Sequence, residues 1–399
     1  MKQNTIMFLM FVGFINIGYS QQTFFTQISD ENIHSPWDIL IKPNGNILFC
    51  SSYYKSSVKS WSSMWEVDQT GEIINEWTFT NTSDEFLSAT RILLADSQIY
   101  LFGAGKRNQA DSIENFVSMR KLDLQLIELE NYQLHLTGMQ HDLIMPTRVI
   151  YKESTFHMSA VVTYGPSSMF ATAGYLRTSP SGTNIQSAFL PPSSGQRLRP
   201  YDFCFLPGSD NLFAATLDEL TIYNTGGVIT EFDTAMNIVT QIPLDSYPAM
   251  PDFGIFGQTD TTYYAMFNVF AFFGDVSLGI EKRDLHGNIL NQFVYECPED
   301  SASYIAYRNA LDTFPDGNLL FCATKNIDFY PGIQQEPTTI MLFKLSRDLE
   351  LIWQRFIFGD NGNYRAWSMK VHPDGGIVVL GTLSRTPPSS NAEEVFIMK

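Results

Sequence analysis

One phrase recurs from end to end of this 399-residue chain and constrains it more than any single residue does. It reads WDILIKPNGNILFC at 37–50, NALDTFPDGNLLFC at 309–322 and WSMKVHPDGGIVVLG at 367–381. Each copy has two apolar, strand-like runs joined by Pro-Asn/Asp-Gly, a turn in which proline pre-sets φ and glycine supplies positive φ. Looser copies keep the alternation without that turn: ATRILLADSQIYLFG at 89–103, PTRVIYKESTFHMSA at 146–160 and PYDFCFLPGSDNLFAAT at 200–216. A third and a fourth strand follow, joined as hairpins through short polar turns such as Gln69-Thr70-Gly71 and His286-Gly287-Asn288, in SMWEVDQTGEIINEWTF (63–79), SLGIEKRDLHGNILNQFVY (277–295) and IMLFKLSRDLELIWQRFIF (340–358).

First strands begin near Trp37, Arg91, Arg148, Tyr201, Asp252, Asn309 and Trp367, so the copies lie about 50 to 60 residues apart. Four antiparallel strands per copy, with no helix between copies, cannot bury both faces alone and must stack side by side around an axis. The sequence therefore predicts an all-β fold, a seven-bladed β-propeller of four-stranded antiparallel blades. Its rival is a two-domain all-β chain, but no long linker separates two halves; PPSSG at 191–195 is only a loop. The last copy stops at VFIMK (395–399), which aligns with the third strand MLFK (341–344) of the copy before it. The segment TFFTQI (23–28) stands where a fourth strand would precede the first copy, so the N-terminal strand is expected to complete the last blade and remove two sheet edges. The alternative is a fragment whose last blade continued in a longer parent.

Residues 1–20 read as a signal peptide: Lys2 gives a positive start, 6–17 is apolar yet too short to span a bilayer, and Gly18-Tyr19-Ser20 offers small residues for cleavage. Residues 21–399 then form a single propeller domain without membrane insertion, secreted to the periplasm, the cell surface or the medium, and a monomer. Net charge of -17 argues against a sequence-independent grip on nucleic acid or anionic lipid, since both need a basic face, and leaves only a local basic patch to supply one. Cys50 and Cys322 occupy equivalent places in non-adjacent copies, Cys204 lies in an apolar run and Cys297 in an acidic loop, which predicts buried free thiols and not disulfides.

The PNG/PDG turns, the hairpins bearing a late tryptophan and the leader resemble the divergent secreted β-propeller repeat proteins of Bacteroidetes-type bacteria, with kelch/WD-like blades. Many of those carry a C-terminal sorting domain, which this sequence lacks. The resemblance spans the mature chain and implies the fold and export; it implies no catalytic residues, because blade pattern and not a site defines the class.

Searching that frame for chemistry gives little that is specific. Nucleophile elbow, zincin, paired-cysteine and phosphate-loop signatures are absent, GAGK at 103–106 being too short for the last. The six histidines (34, 135, 141, 157, 286 and 372) read as loop or turn residues; DNGN at 360–363 reads as a turn, not a calcium loop; NTS at 81–83 matches a glycosylation acceptor that a bacterial origin would leave silent. No metal or cofactor is expected. Arg91, Arg148, Arg199, Arg308 and Arg365 each fall at a loop-to-first-strand junction, so they either converge at one mouth of the channel on a carboxylate or sulfate, or pair with nearby acids to hold blades together. Loops at 51–63, 268–275 and 323–337 between second and third strands carry aromatic residues on the same face, of which Tyr53, Tyr54, Trp61 and Tyr330 are expected to be exposed for a sugar or protein.

Two functions follow. The favoured one is a non-catalytic binding or scaffolding propeller that engages a protein or glycan through its loop-bearing face. The alternative is a polysaccharide hydrolase or lyase at the mouth of the central channel, whose carboxylates would come from Glu31, Asp84, Glu85, Asp142, Asp252 and Glu299.

Overall fold

The computed structural model describes residues 23–28, 33–54, 60–79, 85–109, 112–136, 143–164, 170–189, 197–221, 224–233, 237–248, 254–259, 261–270, 276–296, 303–326, 337–358, 362–385 and 394–399. Every regular element among them is a strand, and the strands form seven antiparallel sheets in sequence order. Blade 1 is typical: Ile33–Ile41 pairs with Ile47–Tyr54, then Ser60–Val67, then Ile73–Phe79 at the rim. In blades 2 and 6 the first strand is broken in two, Glu85–Leu87 with Arg91–Ala95 and Ser303–Ile305 with Leu311–Thr313, so these sheets have five segments.

The ring closes as the strand alignment predicts. Phe25–Ile28 pairs antiparallel with Glu394–Met398, outside Ile377–Arg385 and Gly362–Val371, making blade 7 from both ends of the chain. Phe25 stacks on Phe396 at 5.5 Å between ring centroids, so the closing strand is held by packing as well as by its ladder.

Burial between sheets does the stabilising work. Leu48, Cys50 and Met64 of blade 1 pack with Ile92, Ile99 and Leu101 of blade 2, while its other face puts Phe49 and Trp65 against Val378, Leu380 and Val395 of blade 7. Similar apolar seams join each remaining pair of neighbours. Cys50, Cys204 and Cys322 are buried free thiols in these seams; Cys297 lies outside the described residues.

The turns explain both kinds of copy. Gly45, Gly317 and Gly375 of the Pro-Asn/Asp-Gly turns have φ of +84°, +80° and +83°, the region a side chain disfavours. In the copies without that turn, Asp96-Ser97 and Glu153-Ser154 both have positive φ at two successive residues, a tight two-residue hairpin made without glycine. Third-to-fourth turns use one device repeatedly: Asp68, Asp123 and Asp284 each accept the amides two and four residues on, and Ser346 does the same.

Two sequence expectations shift here. Residues 51–54 and 60–63 are strand, not loop, because Ser51, Ser52, Ser62 and Ser63 are buried and satisfied inside the sheet, with Ser52 and Ser62 hydroxyls 2.9 Å apart. His34 and His157 are buried strand residues, not loop or turn residues, since an imidazole packs edge-on against an aromatic neighbour: Trp65 for His34, Phe205 for His157.

Candidate functional site: the channel mouth

First strands of blades 1, 3, 4 and 7 share a defect. Their ladders shift register between Pro36 and Asp38, Pro146 and Arg148, Pro200 and Asp202, and Ala366 and Ser368, leaving Trp37, Thr147, Tyr201 and Trp367 as the extra residue of a bulge. Proline is tolerated beside a bulge because that position donates no ladder bond. The arginines therefore lie inside or between first-strand segments and not at loop junctions: the strands begin upstream of them and kink. Arg91 opens Arg91–Ala95, Arg148 is central in Leu143–Lys152, Arg199 and Arg365 lie two residues before a bulge, and Arg308 lies between the two pieces of blade 6.

Residues just past the bulges build a polar layer across the channel. Asp38 Oδ1 accepts its neighbour's Ile39 amide at 2.9 Å and Asn309 Nδ2 at 2.7 Å, while Oδ2 accepts the Ile92 amide of blade 2 at 3.2 Å. Asn309 also donates to Ser368 Oγ at 2.9 Å, and its own oxygen accepts from the Arg148 guanidinium. Arg148 Nε lies 3.5 Å from Asp202 Oδ1, which takes the Phe203 amide at 2.9 Å. The Ile255 amide of blade 5 also favours the charged form of Asp202, while Asp38 bonds blade 1 directly to blade 2. Arg91 is spent on the carbonyls of Thr90 and Thr147. Two carboxylates and two guanidiniums thus cancel in a layer where Asp38, Arg91, Asp202, Asn309 and Ser368 are all buried.

Burial pushes the Asp202 carboxyl up, against the pull of Arg148 and Arg91, and pushes the Arg91 guanidinium down, against Asp38. Burial, then the nearby Asp38 charge, also raises the Cys50 thiol far above its ordinary range. Such a layer suits a structural plug: its acids already hold backbone amides and arginine.

On the side of the plug toward the start of the first strands, blades 6, 7 and 1 present a different surface. Arg365 lies 4.2 Å over the Tyr307 ring and 5.9 Å from Trp367; Tyr307 and Trp367 are 4.7 Å apart; Trp367 meets Trp37 edge-on at 6.2 Å; Arg308 covers Trp37 at 4.8 Å. A guanidinium covers each end of this run of three rings, an arrangement that cation–π attraction favours. All five side chains are half-buried. Trp367 Nε1 donates to Thr382 Oγ1 at 3.3 Å, but Trp37 Nε1 is buried with no hydrogen-bond partner.

Tyr53, Tyr54 and Trp61 lie in paired strand backbone at this same end of blade 1, with Tyr53 opposite Trp61; their side chains, like that of Arg199, lie outside the described residues, as does all of Tyr330. The candidate acids Glu31, Asp84, Asp142, Asp252 and Glu299 and the side chain of Glu85 fall outside them too. Trp37, Tyr307 and Trp367 went unread as site residues because a repeated aromatic reads as blade packing. The available signal was Pro-aromatic-Asp at 36–38 and again at 200–202.

No family model and no curated protein matches the chain. Among solved structures it is similar to a protein of unknown function from Dyadobacter fermentans, at 9% identity over 94% of this chain and 97% of that one, TM-score 0.49. It is also similar to the β-propeller domain of the trilobed protease of Pyrococcus furiosus, at 10% identity over 93% and 97%, TM-score 0.49. An exo-1,5-alpha-L-arabinanase from a bovine ruminal metagenomic library matches at 12% identity over 67% and 95%, TM-score 0.37. At such identities a likeness concerns the course of the chain alone, and activities stay with those proteins.

Proposed function

We propose that this is an exported, non-catalytic binding propeller that takes a glycan bearing carboxylate or sulfate groups at the mouth of its channel. The observation that carries the reading is the run of three rings, Tyr307, Trp367 and Trp37, flanked by Arg365 and Arg308 over a charge-cancelled plug. Aromatic rings offer apolar faces to sugar C–H groups, and guanidinium offers a planar fork to an oxyanion. Export rests on the leader-like first twenty residues and on the secreted repeat proteins the chain resembles.

The hydrolase or lyase alternative needs two carboxyl groups placed across a substrate. The channel carboxylates of the described residues, Asp38 and Asp202, are committed to backbone amides, to Asn309 and to Arg148, which supports binding over bond cleavage. A glycan array probed with the mature chain tests the proposal, with acidic glycans expected to be retained and their neutral counterparts not. The same hits are then incubated with the protein and assayed for new reducing ends and unsaturated products. Retention of neutral glycans alone refutes the acidic-ligand reading, and product formation refutes the non-catalytic one.

A further inference from the structure

A cavity of about 180 Å³ opens between blades 3 and 4 at the end of the ring opposite the channel mouth, where the first strands finish. Its floor comes from neighbouring strands of blade 3. His157 and Arg177 are directly opposite each other in the ladder, and Tyr175 lies two residues from Arg177 on the same face. His157 and Tyr175 are each 8% exposed, and the His157 Nδ1 to Tyr175 hydroxyl distance is 2.5 Å.

The tautomer follows from those neighbours. Burial holds the tyrosine hydroxyl protonated well above its ordinary range, and burial with the charges of Arg177 and Lys152 keeps the imidazole neutral, down to about 4. The hydroxyl therefore donates to Nδ1, which leaves Nε2 as an N–H donor on the other edge of the ring.

The cations and acids around the cavity are not equivalent. Lys152 bonds Asp210 Oδ1 at 2.9 Å and the Ser209 carbonyl at 2.8 Å, and Asp233 holds the amide and side chain of Asn237. Glu153 lies in an exposed turn. The Arg177 side chain, in contrast, makes no hydrogen bond or ion pair among the described residues although these three carboxylates line the same cavity, and its Nε is buried without a partner.

We propose that this cavity is a small-oxyanion site, in which Arg177, His157 Nε2–H and the remaining N–H of Lys152 hold a phosphate or sulfate. A guanidinium left without an acceptor in a half-enclosed polar cavity is the donor arrangement that planar, multi-oxygen recognition uses. The cavity lies below the roughly 300 to 1,000 Å³ of sites for drug-sized ligands, which excludes an oligosaccharide and leaves room for a single tetrahedral anion. It is independent of the channel mouth.

The test is isothermal titration of the mature protein with inorganic phosphate and with sulfate at constant ionic strength, using chloride as the reference ion. Saturable binding with one site is expected, weakened at least tenfold in Arg177→Gln and partly kept in Arg177→Lys, with Lys282→Gln unchanged as a surface-charge control. Arg177 holds no partner in place, so its glutamine variant is expected to fold normally by circular dichroism. Absence of saturable binding of either anion to the wild-type protein overturns the proposal. So does equal binding by Arg177→Gln, because the anion then lies elsewhere.

Discussion

Asp38→Ala removes the group on which the channel plug turns. Its carboxylate serves three donors: the amides of Ile39 and Ile92 and the side-chain amide of Asn309, which keeps a second acceptor in Ser368 Oγ. Two backbone donors are left stranded in a buried layer at about 1–3 kcal/mol each, and relief of the carboxylate's own desolvation offsets part of that. The expected loss is about 4 kcal/mol. Asp38→Asn keeps one acceptor oxygen and should lose about half as much, ~2 kcal/mol. The assay is urea unfolding followed by far-UV circular dichroism and by tryptophan emission, because Trp37 and Trp367 lie beside the plug and coincidence of the two probes checks that the ring melts as a unit. A loss under 1 kcal/mol for Asp38→Ala, or equal losses for both variants, refutes the idea that the plug depends on this carboxylate as an acceptor.

Three further outcomes follow from local geometry. Gly103→Ala should destabilise blade 2 by about 3 kcal/mol or more in the same urea assay, because a Cβ there would fall 1.6 Å from the Ser88 carbonyl oxygen, and backbone yields little. His157 titrates at about 6.5 unfolded and about 4 folded, so the unfolded chain binds the proton first as pH falls and stability drops across that window. At 1.36 kcal/mol per pKa unit this is at most about 3 kcal/mol, and ~2 kcal/mol after allowing for water in the cavity; stability measured from pH 7 to 4 should show that much less slope in His157→Gln. Cys50, Cys204 and Cys322 should resist iodoacetamide in the native protein and react on unfolding, read by mass spectrometry, since burial raises all three thiols and denies the reagent access.

The blades were legible in the sequence because their signals are local. Gly45, Gly317 and Gly375 mark turns whose φ only glycine adopts readily, and period-two alternation survives where Asp96-Ser97 and Glu153-Ser154 replace them. Ring closure was legible too, since the strand missing from the last copy and the spare strand before the first are both read by counting. The plug was not, because it is built from partners such as Asp38 and Asn309, which are 271 residues apart and meet only once the ring is closed. Nor was the division of labour among the arginines. The same residue type at similar places in five copies is spent on carbonyls at Arg91, on an aspartate and an asparagine at Arg148, and on aromatic rings at Arg308 and Arg365, with the side chain of Arg199 outside the described residues. Bulges near Arg148 and Arg365 and breaks in the first strand at Arg91 and Arg308 accompany this division, and a bulge leaves only a faint trace in sequence, in three blades a proline two residues before the plug.

The most direct test of the channel-mouth site is titration of tryptophan emission with an oligomer of galacturonic acid and with its neutral galactose counterpart. Trp37 and Trp367 report on the site itself, and each good charge-assisted contact contributes about 1.5–3 kcal/mol, or about tenfold or more in affinity. Saturable quenching by the acidic oligomer alone, weakened at least tenfold in Arg365→Gln and in Tyr307→Ala, is the predicted result. Equal response to both sugars, or an acidic-sugar affinity unchanged in both variants, contradicts it.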